Sequence, residues 1–396
     1  LNHSQSMAGV APAQAASISF GMTLMMAMAC GVAVANIYYN QPLLVMMQAA
    51  FPGQESIIGF VPTVTQLGYA LGLLFLVPLG DRIERRRLIL TQYAALALTL
   101  AGVALAPNAW SVVAASIALG VATSVTQQIL PFAAELSAPE RRGATIGTVM
   151  SGLLCGILLG RVLAGAVGER YGWRAMFWIG IGMAVMMTAV LSQILPRNQP
   201  KTRDSYGSLI KSLFRIWREE PALRRSTMVQ ACVFGSFSAL WTTLTLHLDA
   251  GYHLSAQVAG LFGLVGAAGV LFAPIAGKVS DRRGPHVVIG FACSVMVVSW
   301  LLLGMWGMLA GLVVGILVLD FGAQSAQVSN QHIIQALRPE MRSRLNAILM
   351  GGMFIGGAAG SACAMLAWKS FGWTGVSTLG VTLAVCALAV QSWRRP

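Results

Sequence analysis

The stretch LVVGILVLDFGAQSAQVSNQ, residues 312–331, sets one carboxylate in an apolar run and follows it with amides. Asp320, Gln324, Gln327 and Gln331 are spaced by four, three and four residues, so a helix gathers them into one polar stripe. Counted from residue 309 at 1.5 Å per residue, Asp320 lies about 16 Å along that helix, near the middle of a bilayer-thick segment. A carboxylate at that depth is costly and marks a functional site by default, and its chemistry is to load and release a proton. The structural alternative is a fixed partner for Arg161 or for a backbone group. Arg161 lies about 27 Å along its own helix counted from residue 143, towards the outer edge, so the two meet only if Arg161 reaches inward. Three other segments carry polar or aromatic residues at helical spacing: Asn36, Tyr39 and Asn40; Thr123, Ser124, Gln127 and Gln128; and Phe234, Ser238, Trp241 and Thr245. Such faces look either onto a cavity or onto a neighbouring helix, as packing glue.

A second concentration of chemistry is GDRIERRRL, residues 80–88, in which Asp81, Arg82, Glu84, Arg85, Arg86 and Arg87 are charged although only 10% of the chain is. Asp81 falls at a helix boundary, where free N–H groups and the positive dipole end favour a carboxylate. Arg82, Arg85 and Arg86 are within sequence reach of Asp81 and of acids such as Glu135 and Glu140. The cluster acts either as a latch between helices or as charge that holds its loop on one side.

The elements that must position these residues follow from composition. Of 396 residues 56% are hydrophobic, and the mean hydropathy is +0.71. A soluble domain has roughly 25% charged residues, so a soluble fold is excluded. Apolar runs recur over 18–42, 57–80, 87–106, 109–134, 143–167, 172–195, 224–248, 255–279, 286–307, 309–336, 344–368 and 372–392. Segments of about 20 apolar residues cross a bilayer as helices, because hydrocarbon leaves no other partner for the backbone. Twelve transmembrane helices are therefore expected.

With the N-terminus placed in the cytoplasm, only Arg161, Arg170, Arg174 and Lys369 of the 26 basic residues fall in the outer half. The positive-inside rule then puts both termini in the cytoplasm and accounts for the net charge of +13 without a nucleic-acid partner. Residues 1–16 carry no basic region before the first apolar run, so no secretory leader is expected. Residues 197–223 read as a cytoplasmic linker between six-helix halves, 1–196 and 224–396. Leu209, Leu213, Ile216 and Trp217 share one helical face there, suited to the headgroup layer, unless the segment is simply a solvated basic linker.

The halves repeat one another. Asp81-Arg82 returns as Asp281-Arg282, Pro139-Glu140 as Pro339-Glu340, and Gly172-Trp173 as Gly372-Trp373. Met150, Gly152, Gly156 and Gly160 return as Met350, Gly352, Gly356 and Gly360, every pair offset by 200. Six helices per half is an even number, so the halves insert the same way round, related by a pseudo-twofold axis along the membrane normal.

VPLGDRIERRR resembles the loop after helix 2 of the major facilitator superfamily, G-x-L-A-D-R-x-G-R-R, at Leu79, Asp81, Arg82, Arg85 and Arg86. GKVSDRRGPH (277–286) keeps Gly277, Asp281, Arg282 and Gly284; PERRG (139–143) and YGWRAMF (171–177) are similar to the family's turns after helix 4 and before helix 6. ANIYYNQPLL (35–44) resembles the first helix of bacterial efflux permeases of the twelve-helix drug–proton antiporter group. The resemblance implies an all-α membrane fold of two six-helix bundles. It implies a gating role for Asp81, Arg82, Arg85, Arg86, Glu135, Asp281 and Arg282, and close helix packing at Gly152, Gly156 and Gly160. A cavity lined by helices 1, 4, 7 and 10 would take Asn36, Tyr39, Asn40, Gln127, Trp241, Gln324 and Gln327 as substrate-binding candidates, with Asp320 as the proton-coupling candidate. It further implies a monomer in a bacterial inner membrane, moving a small molecule and protons by alternating access. In helix 5, Ile157 and Arg161 stand where the antiporters' G-P-x-x-G-G pattern has Pro and Gly, and the acid many carry in helix 1 is missing.

Efflux in exchange for protons is thus the first expectation, a proton symporter importing a small metabolite the alternative, and a non-transporting receptor a remote one. The sequence shows no Walker loop, catalytic pair or metal cluster, so neither an enzyme nor a cofactor is expected. The six cysteines sit in apolar segments as small packing residues.

Overall fold

The computed structural model describes residues 18–198, 205–270, 273–338 and 341–393, and contains helices and turns but no strand among them. The first half holds α1 (Phe20–Tyr38), α2 (Asn40–Ala49), α3 (Glu55–Ile58), α4 (Val61–Phe75), a 3₁₀ turn (Pro78–Asp81), α5 (Arg85–Ala104), α6 (Ala109–Thr123), α7 (Thr126–Leu136), α8 (Arg142–Tyr171) and α9 (Trp173–Ile194). A linker helix, α10 (Tyr206–Glu219), leads to α11 (Pro221–Tyr252), α12 (Ala256–Val270), α13 (Ala273–Arg283), α14 (Pro285–Met305), α15 (Leu309–Leu337) and α16 (Arg342–Ser392). Among the described residues ten helical stretches are long and apolar enough to cross a membrane. One of them, α16, is divided at Gly372 (φ 57°), as α8 and α9 are divided at Gly172 (φ 83°). With α12 and α13 the arrangement is consistent with twelve crossings. Pro339-Glu340, Lys201, Arg203, Arg394 and Arg395 lie outside the described residues.

Local chemistry sets where elements start and bend. Ser19 caps α1 by accepting from the Met22 N–H, and Asn108 and Ser111 form a reciprocal capping box at α6. The α1–α2 break at Tyr39 precedes Pro42, which has no N–H and whose ring crowds the Tyr38 carbonyl. Between α6 and α7 the hydroxyls of Thr123, Ser124 and Thr126 bond back to the carbonyls of Gly120, Val121 and Thr123, which loosens the ladder there.

Each half has its own apolar core, the first around Tyr93, Leu96, Leu100, Phe132 and Phe177, the second around Leu240, Leu244, Met296 and Trp300. The 200-residue repeat is also a repeat of contacts. Gly152, Gly156 and Gly160 of α8 lie against Ala27, Gly31 and Ala35 of α1. Gly352, Gly356 and Gly360 of α16 lie in the same register against Thr227, Ala231 and Gly235 of α11. A Cβ on any of the six would run into the facing helix, so these glycines set how closely the helices approach. Between the halves a third cluster joins Val34, Ile37, Tyr38, Tyr69 and Leu73 to Phe234, Met353 and Phe354.

The linker helix is capped by Ser205 and buries Leu209, Leu213 and Ile216. Its apolar face does not meet headgroups: Leu223, Ile334, Leu345 and Ile348 cover it, with Trp217 partly buried beside them. The ends of α15 and α16 supply the apolar surface that the linker helix covers, and Arg338 fastens the helix end through Glu219 (3.5 Å) and Glu220 (2.6 Å).

Candidate functional site

Measured from the end of α8 at Tyr171, Arg161 is ten residues, about 15 Å, in from the end opposite the linker. Asp320 is eleven residues, about 16 Å, in from the start of α15 at that same end. Arg161 is therefore level with Asp320 and not near the outer edge. The sequence-based depth, counted from the other end, missed that α8 runs on to Tyr171. Both side chains are withdrawn from solvent, Arg161 to 5% exposure and Asp320 to 3%.

Two aromatic faces hold the Arg161 guanidinium, Trp241 of α11 at 4.1 Å and Tyr38 of α1 at 4.5 Å. Cation–π contacts of this kind gain strength when desolvated. Its Nε donates to Gln41 Oε1 at 3.0 Å, while Nη2 has no hydrogen-bond partner among the described residues. Asp320 Oδ2 likewise has none. The two charges interact, yet among the described residues they form no direct ion pair. Gly266 of α12 completes the centre. A Cβ there would stand 2.8 Å from Trp241 Cζ2 and 3.2 Å from Asp320 Oδ2.

The centre sits on the seam between the halves. Gln41 also accepts from Thr245 across it, through its carbonyl at 2.9 Å. Ser361, the repeat partner of Arg161, occupies the equivalent place and bonds to Thr63 and Thr242, each at 2.9 Å. An aromatic row continues from Trp241 through Phe237, Phe234 and Phe354 to Tyr69, with successive centroids 4.4–6.0 Å apart.

The other candidates fall in different places. Trp241 faces Arg161, as described. Gln324 and Gln327 are half-buried along α15, and Gln127 donates to the Tyr69 hydroxyl at 3.3 Å. Tyr39 instead points into the first core, edge-on to Phe177 at 6.3 Å. Asn36 donates to the carbonyls of Val32 and Ala33 and faces Gly180, and Asn40 donates to Thr65 at 3.0 Å. Helical spacing shows which residues share a face but not which face meets the other half; on α1 and α2 that face carries Val34, Tyr38 and Gln41. Tyr38, Gln41 and Gly266 were thus missed. ANIYYNQPLL held the first two, and the three-residue spacing of Gly260, Gly263 and Gly266 was a readable sign of close helix approach, which the first two make to α8 and Gly266 to Trp241 of α11 and Asp320 of α15.

A family model described as "Major Facilitator Superfamily" matches residues 21–337 and 227–396. The chain belongs to the major facilitator superfamily. This major facilitator is 40% identical over 380 residues, 95% of its length and 96% of the relative's, to the uncharacterized transporter YgaY of Escherichia coli O157:H7. It is 27% identical over 251 residues, 62% of its length and 60% of the relative's, to the multidrug resistance protein MdtG of Serratia proteamaculans. The crystal structure of the human organic anion transporter MFSD10 superposes with a TM-score of 0.70 over 95% of this chain and 100% of that one, at 16% identity, and so shares the fold. The chain is a membrane transporter, not an enzyme.

In this transporter the GDRIERRRL knot centres on Arg85, which is 4% exposed. Arg85 meets Asp81 at 3.1 Å, Glu135 of α7 at 3.8 Å and the Gly80 carbonyl at 3.3 Å; its backbone N–H donates to Asn198. Arg86 donates to the Ser192 carbonyl at 2.5 Å, and Arg82 is exposed. These partners all belong to the first half and the start of the linker, so the knot braces helices of one half. Beside it Leu74 lies against Gly351 across the seam, and the Tyr206 hydroxyl of the linker helix donates to the Phe75 carbonyl at 2.9 Å. In the second copy Asp281 approaches His332 at 3.6 Å, and Arg282 is exposed. The opposite end is joined by Glu169, which accepts from the Gln257 N–H at the start of α12 (2.9 Å), and by Lys369 donating to Ser56 (3.4 Å).

Proposed function

We propose that this transporter is a proton-coupled secondary carrier working by alternating access, with Asp320 as the group that loads and releases the proton. The observation that carries the reading is a buried mid-span carboxylate on the seam between the halves, with one oxygen unpartnered. In this reading two bundles, 1–196 and 224–396, rock about the Arg161–Asp320 level as a monomer in the inner membrane. The linker end and both termini face the cytoplasm, supported by the basic residues gathered there. Gln127, Gln324 and Gln327 line the approach from that end, and Asp81, Arg85 and Glu135 stiffen the gate while Leu74 makes the crossing contact. Export of a small organic compound in exchange for protons is supported by the relatives named for multidrug resistance. Symport is favoured by a different observation, the buried cation Arg161 beside Asp320.

The test is proteoliposomes carrying an internal pH dye, challenged with a panel of anionic, neutral and cationic small organic compounds. Substrate-induced proton flux is expected in the wild type and not in Asp320→Asn. Equal flux in both removes Asp320 from coupling. The direction of the flux relative to the compound separates exchange from symport.

A further inference from the structure

We infer that the Arg161 centre is the docking point for an organic carboxylate with an apolar, preferably aromatic, body, which loads together with a proton on Asp320. The inference rests on the proposed role of Asp320 and adds to it a substrate class.

The argument begins with the cation. A guanidinium stays charged, and one withdrawn from water needs an anion or an equivalent set of acceptors. Gln41 supplies one acceptor, to Nε. Tyr38 and Trp241 set their π-electron faces against the guanidinium, 4.5 and 4.1 Å from Cζ. What is left is the planar edge at Nη2, which has no hydrogen-bond partner among the described residues. That edge is the part of arginine whose fork matches a carboxylate. Asp320 is near enough to feel the charge but makes no ion pair with it, so it balances the site without filling the fork. A cationic ligand would have to lie against Arg161 and is disfavoured. A neutral ligand would leave the fork without its charged partner.

The body of the ligand follows from the walls. From Trp241 the seam continues as Phe237, Phe234, Phe354 and Tyr69, an apolar surface suited to a ring or hydrocarbon chain. The combination of one forked cation and an aromatic row selects an amphipathic carboxylate over a polyol or an inorganic ion.

The proton follows from charge balance. With Arg161 charged and Asp320 ionised the centre is neutral. An incoming carboxylate makes it negative by one, and an uncompensated charge in a dry site is strongly unfavourable. Taking one proton from water onto the Asp320 carboxylate restores neutrality, with no bond to the substrate made or broken. Among the described residues Arg161 is the charged group whose field reaches Asp320, with Tyr38 behind it. Trp241 of α11 and the bare backbone of Gly266 of α12 lie beside it, α14 packs the neutral Met296 on Gly322 of the same helix, and among the described residues no charged group of α13 or α16 acts on it. Anion and proton then move in the same direction.

The experiment uses the full chain in nanodiscs with 1-naphthoate, benzoate, benzamide and benzylammonium, with binding followed by calorimetry in buffers of different ionisation enthalpy. The carboxylates are expected to bind at least about tenfold more tightly than benzamide, the loss of a charge-assisted pair being worth at least that. About one proton should be taken up per anion, with affinity falling up to about tenfold per pH unit on the alkaline side. Arg161→Gln should lose anion binding, Arg161→Lys should keep part of it and so report an intact fold, and Asp320→Asn should bind the anion with no proton uptake. Benzamide or benzylammonium binding as tightly as naphthoate, Arg161→Gln binding as wild type, or no carboxylate binding at any pH would each overturn the inference. If Asp320→Asn abolishes proton-coupled transport while benzamide is the tighter ligand, the carrier reading stands and the carboxylate inference fails. If naphthoate binds without proton uptake and Asp320→Asn behaves as wild type, both fail.

Discussion

Replacing Gly266 with alanine puts one methyl group into the centre without adding or removing a charge. The added Cβ would stand 2.8 Å from Trp241 Cζ2, 3.2 Å from Trp241 Cη2 and 3.2 Å from Asp320 Oδ2. The indole cannot simply step aside, because it is 2% exposed and stacked on Arg161 at 4.1 Å. Overpacking of this kind costs about 1–3 kcal/mol, against which the better helix propensity of alanine returns at most about 1 kcal/mol. The atoms struck belong to the six-membered ring of the indole, so Trp241→Phe removes most of the obstacle. A double-mutant cycle on unfolding in mixed micelles measures this directly. Gly266→Ala should cost about 1–2 kcal/mol in the wild-type background and less than about 0.5 kcal/mol in Trp241→Phe. An equal penalty in both backgrounds would show that Trp241 does not wall Gly266, and the account of the centre would fail.

Three other outcomes follow from the same geometry. Gly156→Ala should lower the unfolding temperature in detergent while Gly147→Ala, with nothing within 4 Å of its added Cβ, should not; equal behaviour would deny the close α1–α8 seam. Arg85→Gln should destabilise the linker end far more than Arg87→Gln, by roughly 2–4 kcal/mol, because the first takes a buried cation away from Asp81 and the second touches only an exposed charge; comparable losses would mean the knot is merely topological. Glu169→Gln should weaken the cap on α12 and raise labelling of a cysteine placed at Ser56, in a background without native cysteines, at least about threefold; unchanged labelling would show that this contact does not hold that end shut.

The architecture was readable because hydrocarbon leaves few options. Apolar runs, the one-sided basic residues and the 200-residue echo fixed the helices, and the glycine register reappears as matched contacts. The site was half-readable. Asp320 stands out because a carboxylate in an apolar run is costly and needs a reason, functional or structural, whereas counting from the wrong end of a helix longer than the apolar run misplaces Arg161. Tyr39 was preferred over Tyr38 because a 100° step on a helix changes the neighbour entirely, and spacing alone carries no reference direction. The linker helix showed its apolar face in the sequence, but what covers it, Ile334, Leu345 and Ile348, comes from chain more than a hundred residues away.

The central claim is that Asp320 carries the proton that couples this carrier. Accumulation of a radiolabelled substrate, chosen by the flux panel, should be measured in proteoliposomes with and without a pH gradient, beside substrate counterflow without one. Wild type should accumulate substrate against its gradient when the pH gradient is imposed; Asp320→Asn should lose that accumulation and keep counterflow. Gradient-driven accumulation by Asp320→Asn at the wild-type level would contradict the account.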